Sequence, residues 1–443
     1  MNMPDNDELI DGLSLPKSWE IRPLKNLFSF TKGLSITKDD LTDEGAPVIS
    51  YGQIHSKRYQ GTGIDESIIR YVPFRIATKN QKSKVKPGGF LFADTSEDLD
   101  GVGNCAYNDS KSYLYGGYHT IVLNPKGADE DKYFAYLFRT DAWRAQLRRN
   151  LIEVKLYSVS QAALKRTHVI YPPLNERRRI AKFLDERCAA IDAEKAALED
   201  EVAALRRLRT STIHHAVTRG IDANVAMKET GRAWLPLIPK HWALEKLSYF
   251  SASSLGKMID QKLETGVNVH EYLSNRDINW FSINTDGLAT TSFPLNCESR
   301  YGIRDGDILI CEGGDVGRCC VWRGPSPDFY FQKAIHRLRV NPHVAVPEYI
   351  AYQMFQKAKV SEFREVRKGE ATFSHLPGDQ LDSLRFAMPP LEEQKRIVAY
   401  IDDRCAAIDS VIETRTKQIS CLEDYRKALI FQYVTGKKEV PHE

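Results

Sequence analysis

A carboxylate next to a lysine is the first pattern in this sequence that could carry out chemistry. Glu393-Gln394-Lys395 matches the acidic-x-Lys triplet of metal-dependent nucleases. An internal repeat, however, places Glu176-Arg177-Arg178 at the equivalent positions, and no Pro-Asp pair precedes the triplet. The triplet also lies at the start of a predicted long helix. These features argue against nuclease chemistry.

Two Pro-Pro pairs, at residues 172–173 and 389–390, form a second candidate. An amino-methyltransferase needs Asn or Asp before such a pair and an aromatic residue after it, so that side chain and main chain hold the target amine. Here Tyr171 and Met388 precede the pairs, and a leucine follows each of them. Neither pair is therefore predicted to be a methyltransferase site.

The glycine-rich segments and the cysteines do not form a clear binding or metal site either. Gly256-Lys257 is followed by Met258 and lacks the earlier glycine of a phosphate-binding loop. Residues 313–317 lack the dinucleotide fingerprint and are predicted to connect two strands. The eight cysteines are scattered, which favours reduced buried thiols. A zinc site would require a set whose spacing fits no recognised pattern, namely Cys311, Cys319, Cys320 and His336.

The composition indicates a folded protein of two or three domains. Of its 443 residues 42% are apolar, which excludes intrinsic disorder and fibrous repeats. Lys and Arg total 62 against 59 Asp and Glu, so binding of a polyanion would require segregated charge. The start of the sequence is acidic, unlike a signal peptide, and no run approaches about 18 apolar residues. We therefore expect a cytoplasmic protein with no membrane partner.

The sequence contains an internal repeat. Residues 172–192 recur as residues 389–409, an offset of 217 positions. Weaker similarity relates the Pro-x-x-Trp motif that ends at Trp19 to the one that ends at Trp242, and His119 to His336. Because this similarity extends over most of the chain, we infer duplication of a whole unit.

Each Pro-Pro pair introduces a predicted long helix. No further Pro or Gly occurs before Gly220 in the first copy or Gly436 in the second, so each helix could span about 46 residues, roughly 70 Å. Apolar residues recur in each helix with heptad spacing. The residues predicted to pair the helices or bind partner subunits are Leu184, Ile191, Leu198, Leu205, Ile401, Ile408, Ile412, Ile419 and Leu422.

Two arrangements of these helices are compatible with the pattern. Each helix could cover its own domain, or the two could pair with each other as an antiparallel coiled coil. We favour mutual pairing, because a tandem duplication generates a pseudo-two-fold axis. Four cations that interrupt the apolar stripes would then fix the register or contact partners, namely Lys195, Arg209, Arg415 and Arg426.

The predicted fold class is α+β, with two globular domains joined by the two long helices. Strand-like runs occur at residues 303–310 and 336–340, and shorter helices are predicted over 132–151 and 347–366. The predicted divisions are residues 1–171 for the first domain, 172–219 for its long helix, 220–388 for a linker and the second domain, 389–436 for the second long helix, and 437–443 for a tail.

The order of these motifs resembles the specificity subunit of type I restriction-modification systems. The resemblance covers essentially the entire chain: a Pro-x-x-Trp motif, a variable domain, a Pro-Pro-Leu-x-Glu block and a long helix, all occurring twice. Residues 389–397, Pro-Pro-Leu-Glu-Glu-Gln-Lys-Arg-Ile, closely match the hallmark of that family. The first copy departs from it, with Arg177 where Gln is usual.

The resemblance implies a non-catalytic, sequence-specific DNA-binding scaffold that acts in anti-phage defence. Each target recognition domain would read one half of a bipartite site in double-stranded DNA, and the helices would set the spacer and bind two modification subunits. Those partners would carry S-adenosylmethionine and methylate adenine, while restriction subunits would use ATP and Mg. No cofactor or metal is expected in this chain.

Two other functions stay open on the sequence alone. The chain could be the specificity subunit of a fused nuclease-methyltransferase system, which shares these domains. It could also be a coiled-coil adaptor that binds proteins and makes no DNA contact.

The first candidate DNA-binding segment is the basic run at residues 70–86. It contains no acidic residue and interleaves cations with aromatic and amide side chains. Cations can neutralise phosphates, and amides can hydrogen-bond adenine edges. The alternative is a solvated basic loop. The residues predicted to contact DNA are Lys79, Asn80, Gln81, Lys82 and Lys84.

A second candidate segment precedes each Pro-Pro pair, at residues 150–158 and 367–375. An ordinary exposed turn is the alternative. The predicted DNA contacts in these segments are Lys155, Tyr157, Ser158, Arg367, Lys368, Thr372 and His375. Weaker candidates are Tyr51, Gln53, Asn275 and Arg276. We expect structural roles for the paired histidines, His119 and His336, and for the paired tryptophans, Trp19 and Trp242.

Overall fold

The chain forms two compact units, each containing part of both long helices. A computed structural model describes residues 13–56, 62–127, 131–149, 156–232, 234–259, 268–359 and 375–441. One unit comprises residues 1–198 and 417–443, and the other comprises residues 199–416. The division therefore falls inside the long helices, whereas the sequence places its borders at the Pro-Pro pairs.

The globular part of the first unit is built on two four-stranded sheets. Its strands are β1 (Glu20–Pro23), β2 (Phe28–Lys32), β3 (Ala46–Ile49), β4 (Arg70–Val72), β5 (Lys84–Val85), β6 (Phe90–Ala93), β7 (Thr95–Ser96), β8 (Cys105–Tyr107), β9 (Leu114–Gly116), β10 (Thr120–Pro125), β11 (Tyr157–Ser158) and β12 (His168–Tyr171). The sheet orders are β2-β10-β6-β8 and β4-β3-β9-β5, and β1 pairs with β12. Strand β6 is buried along its whole length and packs into an aromatic core.

Short helices complete this part of the first unit. They are α1 (Leu24–Leu27), α2 (Tyr51–Ile54), α3 (Phe74–Lys79), α4 (Tyr133–Leu137), α5 (Asp141–Arg148) and α6 (Gln161–Arg166), with 3-10 turns at Lys38–Asp40, Glu66–Ile68 and Gln81–Ser83. The single helix predicted over 132–151 is wrong, because the chain starts a new helix at α5. Thr140 is extended, and its hydroxyl accepts a hydrogen bond from the backbone nitrogen of Trp143 at 3.3 Å, as a helix cap does.

The second unit repeats the main sheet arrangement. Its strands are β13 (Met227–Arg232), β14 (Leu235–Pro239), β15 (Ala243–Lys246), β16 (Ser251–Leu255), β17 (Val269–Leu273), β18 (Ile278–Asn279), β19 (Ser282–Ile283), β20 (Ala289–Ser292), β21 (Ile308–Cys311), β22 (Cys319–Val321), β23 (Tyr330–Phe331), β24 (Ile335–Val340) and β25 (Arg385–Met388). The order β16-β24-β21-β22 corresponds strand by strand to β2-β10-β6-β8. The remaining sheets are β20-β17-β23, β15-β25, β13-β14 and β18-β19.

Short helices also occur in the described part of the second unit. They are α8 (Glu298–Tyr301), α9 (Pro347–Lys359) and α10 (Gly378–Ser383), with a 3-10 turn at Leu247–Tyr249. Helix α9 covers the first part of the helix predicted over 347–366, and the end of that prediction lies outside the described residues.

Strand register corrects one predicted correspondence between the two copies. Phe92 pairs with Ile121 in the first unit, and the equivalent Ile310 pairs with His336 in the second. His336 therefore corresponds to Ile121 and not to His119, because the connection from β21 to β24 is shorter than that from β6 to β10. His336 is buried, with Nε2 2.8 Å from the carbonyl oxygen of Leu376, whereas His119 is exposed in a turn.

The two long helices have the lengths that the sequence predicts. Helix α7 spans Leu174–Arg219 and has 46 residues, and helix α11 spans Leu391–Val434 and has 44. Both begin directly after a Pro-Pro pair. No helix in the described part of the chain is long and apolar enough to cross a membrane.

Ion pairs show that the long helices run antiparallel inside each unit. In the first unit Asp192 of α7 pairs with Arg426 of α11 at 3.3 Å, and Lys195 pairs with Glu423. In the second unit the pairs are Glu201–Arg415 at 2.9 Å and Arg209–Asp409 at 3.0 Å. Residue numbers rise along one helix as they fall along the other. All four cations that interrupt the apolar stripes thus have a carboxylate partner on the other helix.

The side chains of the apolar stripes are buried or half-buried. Leu184, Ile191 and Ile401 are buried, and the other predicted pairing residues are half-buried, namely Leu198, Leu205, Ile408, Ile412, Ile419 and Leu422. Leu184 and Ile191 belong to the core of the first unit, and Ile401 belongs to that of the second.

Each long helix ends against the tryptophan of a Pro-x-x-Trp motif. Gly220 follows α7 with φ +78°, and Gly436 follows α11 with φ +71°, the left-handed conformation that suits glycine. A Cβ atom at Gly220 would lie 3.3 Å from the ring of Trp242. A Cβ atom at Gly436 would lie 2.6 Å from Pro16 and 3.1 Å from Trp19. Both tryptophans are buried, in agreement with their expected structural role.

We expect Gly436→Ala to lower the free energy of unfolding by at least about 2 kcal/mol, because a Cβ adds a clash with Pro16 to the cost of the left-handed backbone. Gly287→Ala is the matched control. Gly287 has φ +66°, and the described residues leave the space around its Cβ position open. This control should cost about 1 kcal/mol. Urea denaturation followed by tryptophan fluorescence measures both, and equal losses would contradict the proposed contact.

The cysteines are free thiols, and all but one are buried. Burial raises the pKa of the Cys105 thiol to about 12 and that of Cys320 to about 11, so neither ionises near neutral pH. Cys421 is exposed. Among the described residues, no group of His, Cys, Asp and Glu side chains could hold a metal ion.

We therefore predict that the native protein reacts rapidly with one equivalent of a thiol reagent such as Ellman's reagent at pH 8. The remaining thiols should react only after denaturation. Cys421→Ser should abolish the fast phase, and Cys188→Ser should leave it intact. Fast modification of several thiols in the native protein would refute the burial of the others.

Candidate nucleic-acid interface

Three chain segments converge at one surface of the first unit. The first segment follows β3, where the backbone nitrogen of Ser50 donates a hydrogen bond to Oε1 of Gln53 at 3.0 Å. This capping box starts helix α2, and Tyr51 is the first residue of that helix. The Tyr51 ring then packs edge-on against His119, with 5.3 Å between centroids. Gln53 thus caps a helix.

The second and third segments are the short strands β7 and β11. They pair antiparallel, with Thr95 opposite Ser158. His55 joins β7 to α2, because its Nε2 donates to the carbonyl oxygen of Thr95 at 2.8 Å while its Nδ1 lies 3.1 Å from the side-chain nitrogen of Asn104. A carbonyl oxygen can only accept, so these contacts fix the tautomer with the proton on Nε2.

His119 occupies a strained position between these segments. Its φ of 53° is uncommon for a residue other than glycine. Nδ1 of His119 lies 3.1 Å from Oδ1 of Asp94, which also accepts a hydrogen bond from the Thr95 hydroxyl at 2.8 Å. The ring of His119 is more than half exposed. We define the first loop surface as Tyr51, Thr95, His119, Tyr157 and Ser158.

The second unit contains an equivalent surface with different side chains. The backbone nitrogen of Ser274 donates to Oδ2 of Asp277 at 2.7 Å, which reproduces the cap that Gln53 makes in the first unit. Asn275 and Arg276 then follow β17 as Tyr51 follows β3. His375 forms a bridge with Gly313 at the position of the Ser158–Thr95 pair.

A glycine with left-handed backbone lies in this second surface. Gly314 has φ +78°, and a Cβ atom there would lie 3.6 Å from the Asn275 side chain. The guanidinium of Arg318 donates to the carbonyl oxygen of Asn275 at 2.7 Å and holds this corner in place. We define the second loop surface as Asn275, Arg276, Gly313, Gly314 and His375.

The basic segment of the first unit is a separate surface made of β4, α3, the Gln81–Ser83 turn and β5. Lys79, Lys82 and Lys86 are exposed, as phosphate contacts require. Nζ of Lys84 instead lies 3.9 Å above the ring of Tyr113. The aromatic ring of Phe74 is 66% exposed.

The two amides of the basic segment already have partners. Nδ2 of Asn80 donates to the carbonyl oxygen of Ile76 at 2.9 Å, and Nε2 of Gln81 donates to that of Thr78 at 3.2 Å. Both therefore satisfy carbonyl groups at the end of α3. Each amide nitrogen carries two hydrogens and each amide also has an acceptor oxygen, so a single bond to a carbonyl group does not use the whole side chain.

The structure brings together some of the predicted DNA contacts and separates others. Tyr51, Tyr157 and Ser158 meet in the first loop surface, and Arg276 and His375 meet in the second. Other candidates lie outside the described residues, namely Lys155, Arg367, Lys368 and Thr372. His55, Asp94 and Thr95 also contribute contacts at the first loop surface, although their residue types did not single them out in the sequence. Their only signal was position, since Asp94 and Thr95 directly follow a buried strand.

Comparison with known proteins identifies the family. Residues 16–204 and 242–420 match the family described as the type I restriction modification DNA specificity domain. The chain belongs to this family. The resemblance inferred from the repeated motifs is thereby confirmed.

Relatives of this specificity family match over nearly the whole chain. A putative type I restriction enzyme MjaX specificity subunit from Methanocaldococcus jannaschii is 24% identical, covering 96% of this chain and 95% of its own. The EcoKI specificity subunit from Escherichia coli is 21% identical, covering 96% of this chain and 90% of its own.

Solved structures support the same fold. A chain from a structural study of complex assembly and conformational transition of the type I R-M system matches with a TM-score of 0.72 at 16% identity, covering 96% of this chain and 100% of that one. The HsdS subunit from Thermoanaerobacter tengcongensis matches with a TM-score of 0.52 at 16% identity, covering 96% and 98%.

In the second unit, residues of the Pro-Pro-Leu block that is typical of the specificity family form hydrogen bonds to other parts of the unit. Glu393 accepts hydrogen bonds from Nε1 of Trp242 at 3.0 Å and from His241 at 2.8 Å. Gln394 is fully buried, donates to the carbonyl oxygen of Val344 at 2.9 Å and accepts from the backbone nitrogen of Val346 at 2.9 Å. These contacts give both residues a structural role.

The first copy has Arg177 at the position of Gln394 and forms an ion pair there instead of these hydrogen bonds. Nε of Arg177 lies 2.9 Å from Oδ2 of Asp131, and both side chains are almost entirely buried. The guanidinium also stacks 3.9 Å above the ring of Tyr171. The departure from Gln at this position is thus compensated by a carboxylate.

We predict that replacing Lys79, Lys82 and Lys86 together with alanine weakens binding to a nonspecific DNA duplex of about 30 base pairs. The slope of log K against log salt concentration should become shallower by the amount expected for about three lost phosphate contacts. Fluorescence anisotropy over a range of salt concentrations measures both effects. The control replaces three exposed lysines elsewhere, Lys17, Lys25 and Lys240. An equal loss in the control would show a general charge effect.

Proposed function

We propose that this chain is the DNA sequence-specificity subunit of a type I restriction-modification complex. Each unit would read one half of a bipartite target in double-stranded DNA. The long helices would pair as an antiparallel coiled coil, set the spacer between the half-sites and bind two modification subunits. The chain itself would be non-catalytic and would act in the cytoplasm.

One observation carries this proposal. Each unit presents a loop surface built from the same three segments of its fold, but the side chains differ between the copies. The first has Tyr51, His119 and Ser158, whereas the second has Asn275, Arg276 and His375 at or beside the equivalent positions. A common frame with different exposed side chains is what two readers of different sequences require.

The chemistry would reside in the partners. Modification subunits would hold S-adenosylmethionine and methylate adenine, and restriction subunits would bind ATP and Mg. The buried contacts of Glu393 and Gln394 agree with this division, because they give the most nuclease-like segment of this chain a structural role.

The duplication makes a half-site test possible. Asn275→Ala combined with Arg276→Ala should alter or relax one half of the methylated motif and leave the other half unchanged. Co-expression with the cognate modification subunit, followed by sequencing of methylated adenines in the host DNA, measures this. Exchanging residues 1–171 for those of a relative should change only the opposite half.

The control is Asn284→Ala, an exposed asparagine of the same unit outside the loop surfaces. A change in both halves after the exchange of residues 1–171 would contradict the assignment of one reader to each unit. Absence of any DNA contact by the chain with its partners, together with salt-insensitive behaviour, would favour the protein adaptor instead.

A further inference from the structure

A cleft in the first unit is distinct from the loop surfaces and from the basic segment. It lies between α5 and the adjoining parts of α7 and α11 and has a volume of about 710 Å³. Pockets of this size hold drug-sized or cofactor-sized ligands. One wall is apolar and includes Ile191, Ile430 and Phe431.

The rest of the cleft lining is strongly cationic. Seven cations line it against four carboxylates, Asp100, Asp141, Asp192 and Glu423, a formal excess of three positive charges among the described residues. The cations are Arg139, Arg144, Arg148, Lys195, Arg426, Lys427 and Lys437.

The cations in the cleft act on one another. Burial, together with the neighbouring charges of Arg139 and Arg148, lowers the pKa of Arg144 to about 10. A bound anion would relieve this repulsion. Three of the carboxylates already face cations, through Arg148–Asp141, Arg426–Asp192 and Lys195–Glu423. Each of these pairs joins two residues of the lining, so the pairs leave its formal excess of three positive charges unchanged.

The second copy of the repeat has uncharged residues at the positions of four of these cations. Tyr136 and Tyr352 both bond to a long-helix aspartate, which aligns Arg139 with Phe355. The repeat of the long helices aligns Lys195 with Ile412 and Lys427 with Thr210, and the helix-ending glycines align Lys437 with Ile221.

Aromatic packing fills the corresponding part of the second unit. Phe355 packs against Phe281 with 5.4 Å between centroids and against Trp280 with 5.0 Å. The guanidinium of Arg209, which corresponds to Arg426, lies 5.5 Å from the Phe281 ring. The frame of the repeat therefore does not require cations at these positions, so their presence in the first unit needs a separate explanation.

We propose that this cleft binds a small organic polyphosphate of nucleotide size. The excess of positive charge matches a ligand that carries two to four negative charges, and the wall of Ile191, Ile430 and Phe431 receives an apolar or aromatic body. A DNA backbone fits less well, because the four carboxylates in the lining would repel a continuous row of phosphates.

Isothermal titration calorimetry of the full chain tests the proposal with three probes: ADP, tripolyphosphate and adenosine. We expect ADP and tripolyphosphate to bind once per chain and adenosine not to bind. Arg139→Phe combined with Lys437→Ile, the residues of the second copy, should weaken ADP binding by about tenfold or more. Lys427→Thr, a change at an exposed residue, should weaken it by a smaller factor.

The control is Lys438→Gln, which removes an exposed cation next to the cleft without changing its lining. It should retain ADP affinity within about twofold. Thermal unfolding of each variant separates lost binding from lost folding. Absence of ADP binding up to about 10 mM, or equal affinity in the variants and the control, overturns the proposal. Displacement of ADP by a DNA duplex also overturns it and makes the cleft a DNA contact.

Discussion

A hydrogen bond between a buried tyrosine and an aspartate on a long helix fixes the globular part of each unit to its helices. The Tyr136 hydroxyl donates to Asp185 at 2.6 Å in the first unit, and that of Tyr352 donates to Asp402 at 2.5 Å in the second. Burial and then this bond raise the pKa of both tyrosines, so each stays a donor at every physiological pH. Hydrogen bonds to charged groups contribute about 1.5–3 kcal/mol each.

The same helix face continues this linkage to the second helix. Seven residues after each of these aspartates lies another, Asp192 or Asp409, which pairs with an arginine of the opposite helix. Seven residues are two helical turns, so both aspartates lie on one side. A globular part, its own helix and the opposite helix are thereby held in one register in each unit. The loop surfaces can then vary without disturbing the frame that positions them.

Much of this frame was predictable from the sequence, whereas the reading surfaces were only partly so. Helix length follows from the absence of Pro and Gly, and the stripes follow from heptad spacing, because both are local or periodic signals. The pairing of Thr95 with Ser158 joins strands of two residues, which have no readable period. The capping roles of Gln53 and Asn80 depend on which carbonyl or amide each side chain reaches, and residue type alone does not fix that.

The small free energies of the interhelical ion pairs indicate that these pairs act on helix register more than on stability. The carboxylates of Asp192, Asp409, Glu201 and Glu423 are all about 40–50% exposed, and pairs of this kind contribute less than about 1 kcal/mol each. Burial of a single leucine or isoleucine contributes about 1.5–3 kcal/mol. Stability therefore comes from the apolar stripes. The ion pairs act on register, because a shift of one turn would place Lys195, Arg415 and Arg426 against residues that offer no carboxylate.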